Sequence, residues 1–90
     1  MIPKYDVNAD TEQRFKDFGL VAALVSVGFA IDRTEREQRT MFFIFKDSTE
    51  LTDAVRNYWS GALEVSARSY FDNTKMLKSL IYGEVSYAAK

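Results

Sequence analysis

Ninety residues, 47% of them apolar and 28% charged, have room for one soluble domain built round one core. The chain has neither cysteine nor histidine, which leaves out disulfides, thiol nucleophiles, imidazole bases and the usual zinc ligands, and suits a reducing cytoplasm. A formal charge of -1 gives no overall attraction to phosphate backbones or anionic membranes, so any such contact needs a local basic patch.

Residues 1–9 read as a tail. In the stretch DVNADTEQRFKD that follows the first five residues, Asp6, Asn8, Asp10 and Asp17 fall at positions 1, 3, 5 and 12 of a twelve-residue calcium loop. Thr11 stands where the sharp turn of such a loop wants glycine, and Arg14 would place a cation beside the ion. We therefore expect no metal and no cofactor here, only a polar lead-in ending in a helix cap.

Phe18 to Ile31 contains no charge. Spanning a hydrocarbon core takes roughly 20 helical residues, so this run is too short to cross a membrane. The small pair Gly28 and Ala30 imitates a signal cleavage site, but the preceding acids Asp6, Asp10, Glu12 and Asp17 deny it the required positive flank. The run is expected to be a core helix from Phe18 to Val27, apolar nearly all round and so covered on more than one side. Asp17 would cap its start, and Gly28 would end it in the left-handed conformation.

Next, FAIDR and RTMFFIF flank the polar stretch TEREQ, which predicts a hairpin with a loop of several residues. In the second strand Met41, Phe43 and Phe45 point one way, Phe42 and Ile44 the other. Both faces are apolar, and an uncovered one would be a place for a partner or a second copy. In the loop, Arg33, Arg36 and Arg39 alternate with Asp32, Glu35 and Glu37, which describes a solvated, self-paired segment better than a grip on nucleic acid.

Asp47 opens D-S-T-E, the pattern of an Asp cap with Glu50 reaching back. Leu51, Ala54, Val55, Tyr58 and Trp59 then recur at the spacing of one buried helical stripe, and Gly61 stops the helix. On that spacing Tyr58 and Trp59 are core residues. ALEV would add a short extended piece. Ser66 caps a last helix whose apolar side is Tyr70, Phe71, Leu77, Leu80 and Ile81, ending at Gly83. Residues 84–90 read as a second tail, with Val85 and Tyr87 offering a short edge strand. Arg68, Lys75 and Lys78 give this helix a weakly basic side interrupted by Asp72.

The expected fold is therefore α+β, a single domain over 10–83 in which a helix, an antiparallel hairpin and two further helices pack on a small sheet. Exposed sheet edges would favour pairing between two chains. K-D-F-G-L-V-A-A-L with Gly28-Phe29, F-I-F-K-D-S with Glu50-Leu51, Tyr58-Trp59-x-Gly61 and Lys78-Ser79-Leu80 together resemble a group of short bacterial and phage proteins known only as a domain of unknown function. The likeness covers Phe15 to Tyr82. It implies a small stand-alone module of a prokaryote or its virus, with Phe43 and Phe45 on the core side of the strand, and it carries over no activity. Gly19 departs from it, standing where a larger helix residue is expected.

No catalytic residues are assigned, because no spacing singles out a carboxylate pair and the convergent groups an enzyme needs are not evident. The reading is a non-catalytic protein-binding or homo-oligomeric module, with Phe42, Ile44, Arg36 and Arg39 as partner contacts. Its rival is a nucleic-acid accessory protein using those arginines with Arg68, Lys75 and Lys78.

Overall fold

A computed structural model describes residues 11–89 of the chain, with side chains over 11–82. It has the expected α+β class. The elements are β1 (Glu12–Phe15), α1 (Phe18–Ser26), β2 (Arg33–Glu37), β3 (Thr40–Lys46), α2 (Thr49–Ser60) and α3 (Ala67–Ala89). The three strands form one antiparallel sheet in the order β1-β3-β2, so the aromatic strand β3 lies in the middle.

Two of these strands differ from the sequence expectation. The polar lead-in is itself a strand: Gln13 pairs with Phe45 and Phe15 with Phe43, and Phe15 sets its ring edge-on against Phe45 at 5.8 Å. The first arm of the hairpin is RTERE, most of which the sequence pattern places in the loop, and the segment from Phe29 to Ile31 falls outside the sheet. Register explains the difference. Glu37 pairs with Thr40 across a turn of only Gln38 and Arg39, made possible by a positive φ of 57° at Gln38. A tight turn of this kind suits the twist of the flanking strands. The longer loop would have moved each pairing along β3 and left Phe29 and Ile31 in the ladder, whereas both pack against the helix-facing core instead.

α1 forms where its apolar run predicts. Its cap is Asp17, whose carboxylate accepts from the Leu20 N–H at 2.9 Å. At the other end Phe29 N–H reaches Leu24 O and Gly28 N–H reaches Val25 O, both at 3.0 Å, with Gly28 at φ 111°. That pair of bonds is a Schellman ending, which only a residue tolerant of positive φ makes cheaply. Leu20 to Leu24 are all buried. They share one cluster with Met41, Phe43 and Phe45 of the sheet, Leu51 and Ala54 of α2 and Leu77 of α3, Ala23 alone lying outside it. A helix apolar on every side has found cover on every side.

The cap of α2 is Ser48, not Asp47: the Ser48 hydroxyl accepts from Leu51 N–H at 3.0 Å. Asp47 is occupied elsewhere. Its backbone N–H donates to Thr11 O at 3.0 Å and its carboxylate accepts from the Gln13 side chain, so it ties β1 to the sheet at the entrance to α2. α2 closes at Gly61 with the same bond pattern as α1, Ala62 N–H to Asn57 O and Gly61 N–H to Tyr58 O. ALEV forms no strand. Ser66 caps α3 through Ser69 N–H at 3.2 Å. α3 then runs on through Gly83 to Ala89, so residues 84–89 are helix rather than tail or edge strand. One glycine costs a helix about 1 kcal/mol, which a long flanking run of helix-compatible residues offsets.

Candidate functional site

The outward face of β3 is covered by the chain itself. Arg14 of β1 and Arg33 of β2 are both register partners of Ile44, while Glu35 is the partner of Phe42. Arg14 reaches over β3 to Glu35 at 3.5 Å and Glu37 at 2.6 Å, with its guanidinium 3.9 Å from the centroid of the Phe42 ring. Arg33 reaches the opposite way to Glu12 at 2.6 Å and also meets Glu35 and Asp32 at 3.1 Å. Both side chains thus cross the outward face of β3 from one edge strand to acids on the other and stay partly exposed, the arrangement in which an arginine covers apolar surface with its stem while its charge remains in water. Ile44 is consequently 1% exposed and Phe42 half-buried. The apolar face that the sequence leaves open is closed within the chain, and Ile44 is out of reach of a partner while β1 and β2 stay in place.

The electrostatics of this lattice are mutual. The Arg33 hydrogen bond holds the Glu12 carboxyl below its usual range, and Glu12 in turn pushes the Arg33 guanidinium up. Arg36, expected beside Phe42 and Ile44, is on the helix-facing side of the sheet as the register partner of Met41, and donates to the Ile81 carbonyl of α3 at 3.5 Å. Arg39 is exposed in the turn. The four partner residues expected from sequence therefore do not form one patch.

Of the calcium-like positions, Asp6, Asn8 and Asp10 lie outside the described residues, and Asp17 is engaged as the cap of α1. Among the described residues no group of three or more acidic side chains could hold a metal ion. No helix is long and apolar enough to cross a membrane among them.

Where the three helices meet, the Tyr58 and Tyr70 hydroxyls approach Gly19. A β-carbon at Gly19 would come to 2.7 Å from the Tyr58 oxygen and 3.3 Å from that of Tyr70. This is the reason for the unexpected glycine: a larger residue would occupy the place of a tyrosine hydroxyl. Burial, with Asp17 and Tyr70 nearby, pushes the Tyr58 phenol up, so the hydroxyl stays protonated. Trp59, expected in the core, is 62% exposed and stands edge-on to Tyr58 at 4.9 Å. Tyr58 and Trp59 are about 100° apart on the helix, and once Tyr58 turns inward its neighbour faces solvent.

α3 carries the remaining unassigned surface. Its buried line is Tyr70, Leu77 and Ile81, which face the core, while Phe71 is 59% exposed and Leu80 41%, against the expectation that both belong to the apolar side. At about 100° per residue, Arg68, Phe71, Lys75, Lys78 and Tyr82 fall within about 80° of arc on one flank. On this flank the Lys75 ammonium lies 5.2 Å from the Phe71 ring centroid, and Arg68 pairs with Asp72 at 3.4 Å. The opposite flank carries Asn73, Met76 and Leu80 at the i, i+3, i+7 spacing of one helix face. Asn73 donates to the Ser26 hydroxyl at 3.0 Å, next to the exposed Val27.

Residues 10–83 match the family described as Domain of unknown function (DUF5659). The chain belongs to this family. No curated protein and no solved structure matches it. The chain is thus a small α+β module of unknown function, as the sequence resemblance implied. Its candidate surfaces are the two flanks of α3 and the exposed Trp59. Trp59, Phe71 and Leu80 hold apolar positions in sequence, so periodicity alone does not mark them as surface. The 3-4-3-4 spacing of Arg68, Phe71, Lys75, Lys78 and Tyr82 is the one signal that could have set a flank apart.

Proposed function

We propose that this chain is a non-catalytic protein-binding module, and that it pairs with a second copy of itself through the flank of α3 that carries Met76 and Leu80. The observation that supports this is the placement of exposed apolar side chains. Val27, Met76 and Leu80 are 37%, 37% and 41% exposed, and Asn73 ties their flank to the end of α1. A helix surface set against its two-fold mate is self-complementary, because each apolar ridge meets the groove beside its counterpart. The sheet offers the weaker route, since the edge strands β1 and β2 bear alternating charges that discourage strand addition. The setting proposed is the cytoplasm of a bacterium or a phage-infected cell, where a chain without cysteine needs no oxidising compartment. Sedimentation equilibrium tests the reading: the intact chain should weigh as a dimer, and glutamate at both Met76 and Leu80 should yield a folded monomer. A monomeric intact chain across the accessible concentration range would remove it.

A second reading, nucleic-acid binding, draws on a different observation. Arg68, Lys75 and Lys78 share the other flank of α3, and Asp72 is the one acid between them in sequence. Arg36 and Arg39 do not join them in this reading.

A further inference from the structure

Charge is distributed unevenly over this molecule. On the outward sheet face the cations Arg14, Arg33 and Lys46 are paired with Glu12, Asp32, Glu35 and Glu37, so that surface is locally neutralised or acidic. Along α3 the balance reverses, with three cations on one flank and Asp72 at its border. Two exposed rings are interleaved with those cations: Phe71 at 59% and Tyr82 at 63% exposure. Both are turned away from the core line of Tyr70, Leu77 and Ile81.

We infer that the Arg68–Tyr82 flank of α3 binds single-stranded nucleic acid, a step that rests on the nucleic-acid reading above and narrows it to one ligand class. Three cations along roughly 15 Å of helix follow a phosphate backbone, and they attract it in proportion to the counterions released. The rings decide the strand state. An exposed aromatic face stacks on an unpaired base of any sequence, whereas in a duplex the base faces are already stacked on one another. Phe71 is held by Lys75 at cation–π distance, so its ring is oriented beside a phosphate-binding group. A membrane surface fits less well, because among the described residues the aliphatic side chains of α3, Met76, Leu77, Leu80 and Ile81, lie on its core line or on the other flank.

Fluorescence anisotropy with a labelled mixed-sequence DNA oligonucleotide, single-stranded and as its duplex, tests the inference at low and rising salt. The single strand should bind more tightly than the duplex, with a log–log salt slope of about -2 for three phosphate contacts. Phe71→Ala and Tyr82→Ala should each weaken the single strand by roughly 5- to 100-fold, and Phe71→Leu should weaken it nearly as much because the ring is what stacks. Lys75→Ala with Lys78→Ala should flatten the single-strand salt slope by about 1.4, leaving the one contact of Arg68. Circular dichroism establishes that each variant is folded. Equal affinity for strand and duplex with no effect of Phe71→Ala or Phe71→Leu would overturn the single-strand inference and leave the broader reading standing. No binding of either form at low salt, or binding only to vesicles containing phosphatidylserine, would overturn both.

Discussion

The guanidinium of Arg14 lies 3.9 Å above the Phe42 ring while it bonds Glu35 and Glu37 on the far side of the strand. A residue of β1 thus holds β2 across the full width of the sheet and roofs the aromatic strand between them. Exposed ion pairs contribute only about 0.2–1 kcal/mol each, so the covering of apolar surface by the arginine stem should outweigh its charge. Arg14→Met should therefore cost less stability in urea unfolding than Arg14→Ala. Equal losses would show that the ion pairs, not the stem, hold β1 in place.

The same roof makes Ile44 a core residue of the sheet's second side. Ile44→Ser removes a fully buried aliphatic group and buries a hydroxyl in its place, a change worth about 3 kcal/mol or more. Phe42→Ser, at a half-buried site, should cost distinctly less. Thermal unfolding of the two single variants checks this ranking, and a folded, undisturbed Ile44→Ser protein would contradict the closed face.

Gly19 and Tyr58 should be energetically coupled. Alanine inside a helix normally gains about 1 kcal/mol over glycine. Here its methyl would meet the Tyr58 oxygen at 2.7 Å, and overpacking of this kind costs roughly 1–3 kcal/mol. Gly19→Ala should be neutral or destabilising in the parent chain and stabilising in a Tyr58→Phe background. A double-mutant cycle measures the difference. Strictly additive changes would mean that the hydroxyl does not set the residue at position 19.

Acid should loosen β1 first. Arg33 lowers the Glu12 pKa in the folded chain beneath its ordinary value of 4.5. Glu12 therefore contributes stability that is complete above that value and disappears as pH falls through the lower, folded one. Hydrogen exchange, corrected for its intrinsic pH dependence, should show β1 protection constant from neutral pH to about 4.5 and declining below. Glu12→Gln should abolish that decline. An unchanged profile in the variant would assign the acid sensitivity elsewhere.

Local chemistry made several of these elements legible in the sequence. The core helix is set by its uncharged run with Asp17 before it and Gly28 after, since caps and helical bonds join residues three to five apart. Gly61 and Ser66 mark their helix ends for the same reason, and β3 declares two apolar faces by strict alternation. What tertiary structure alone decided depends on distant partners. Glu12–Phe15 and Arg33–Glu37 become strands because β3 offers them a ladder, and as charged edge strands they show too little apolar alternation to announce it.

The faces of the last two helices were decided in the same way. Tyr58 and Trp59, or Tyr70 and Phe71, are adjacent apolar residues of similar size, and a period of 3.6 does not choose between neighbours. The position of α1 does. Its N-terminal turn, narrowed at Gly19, admits the hydroxyls of Tyr58 and Tyr70 and thereby turns Trp59 and Phe71 out to solvent. The exposed surface of this protein is in that sense a consequence of how its most apolar helix is packed.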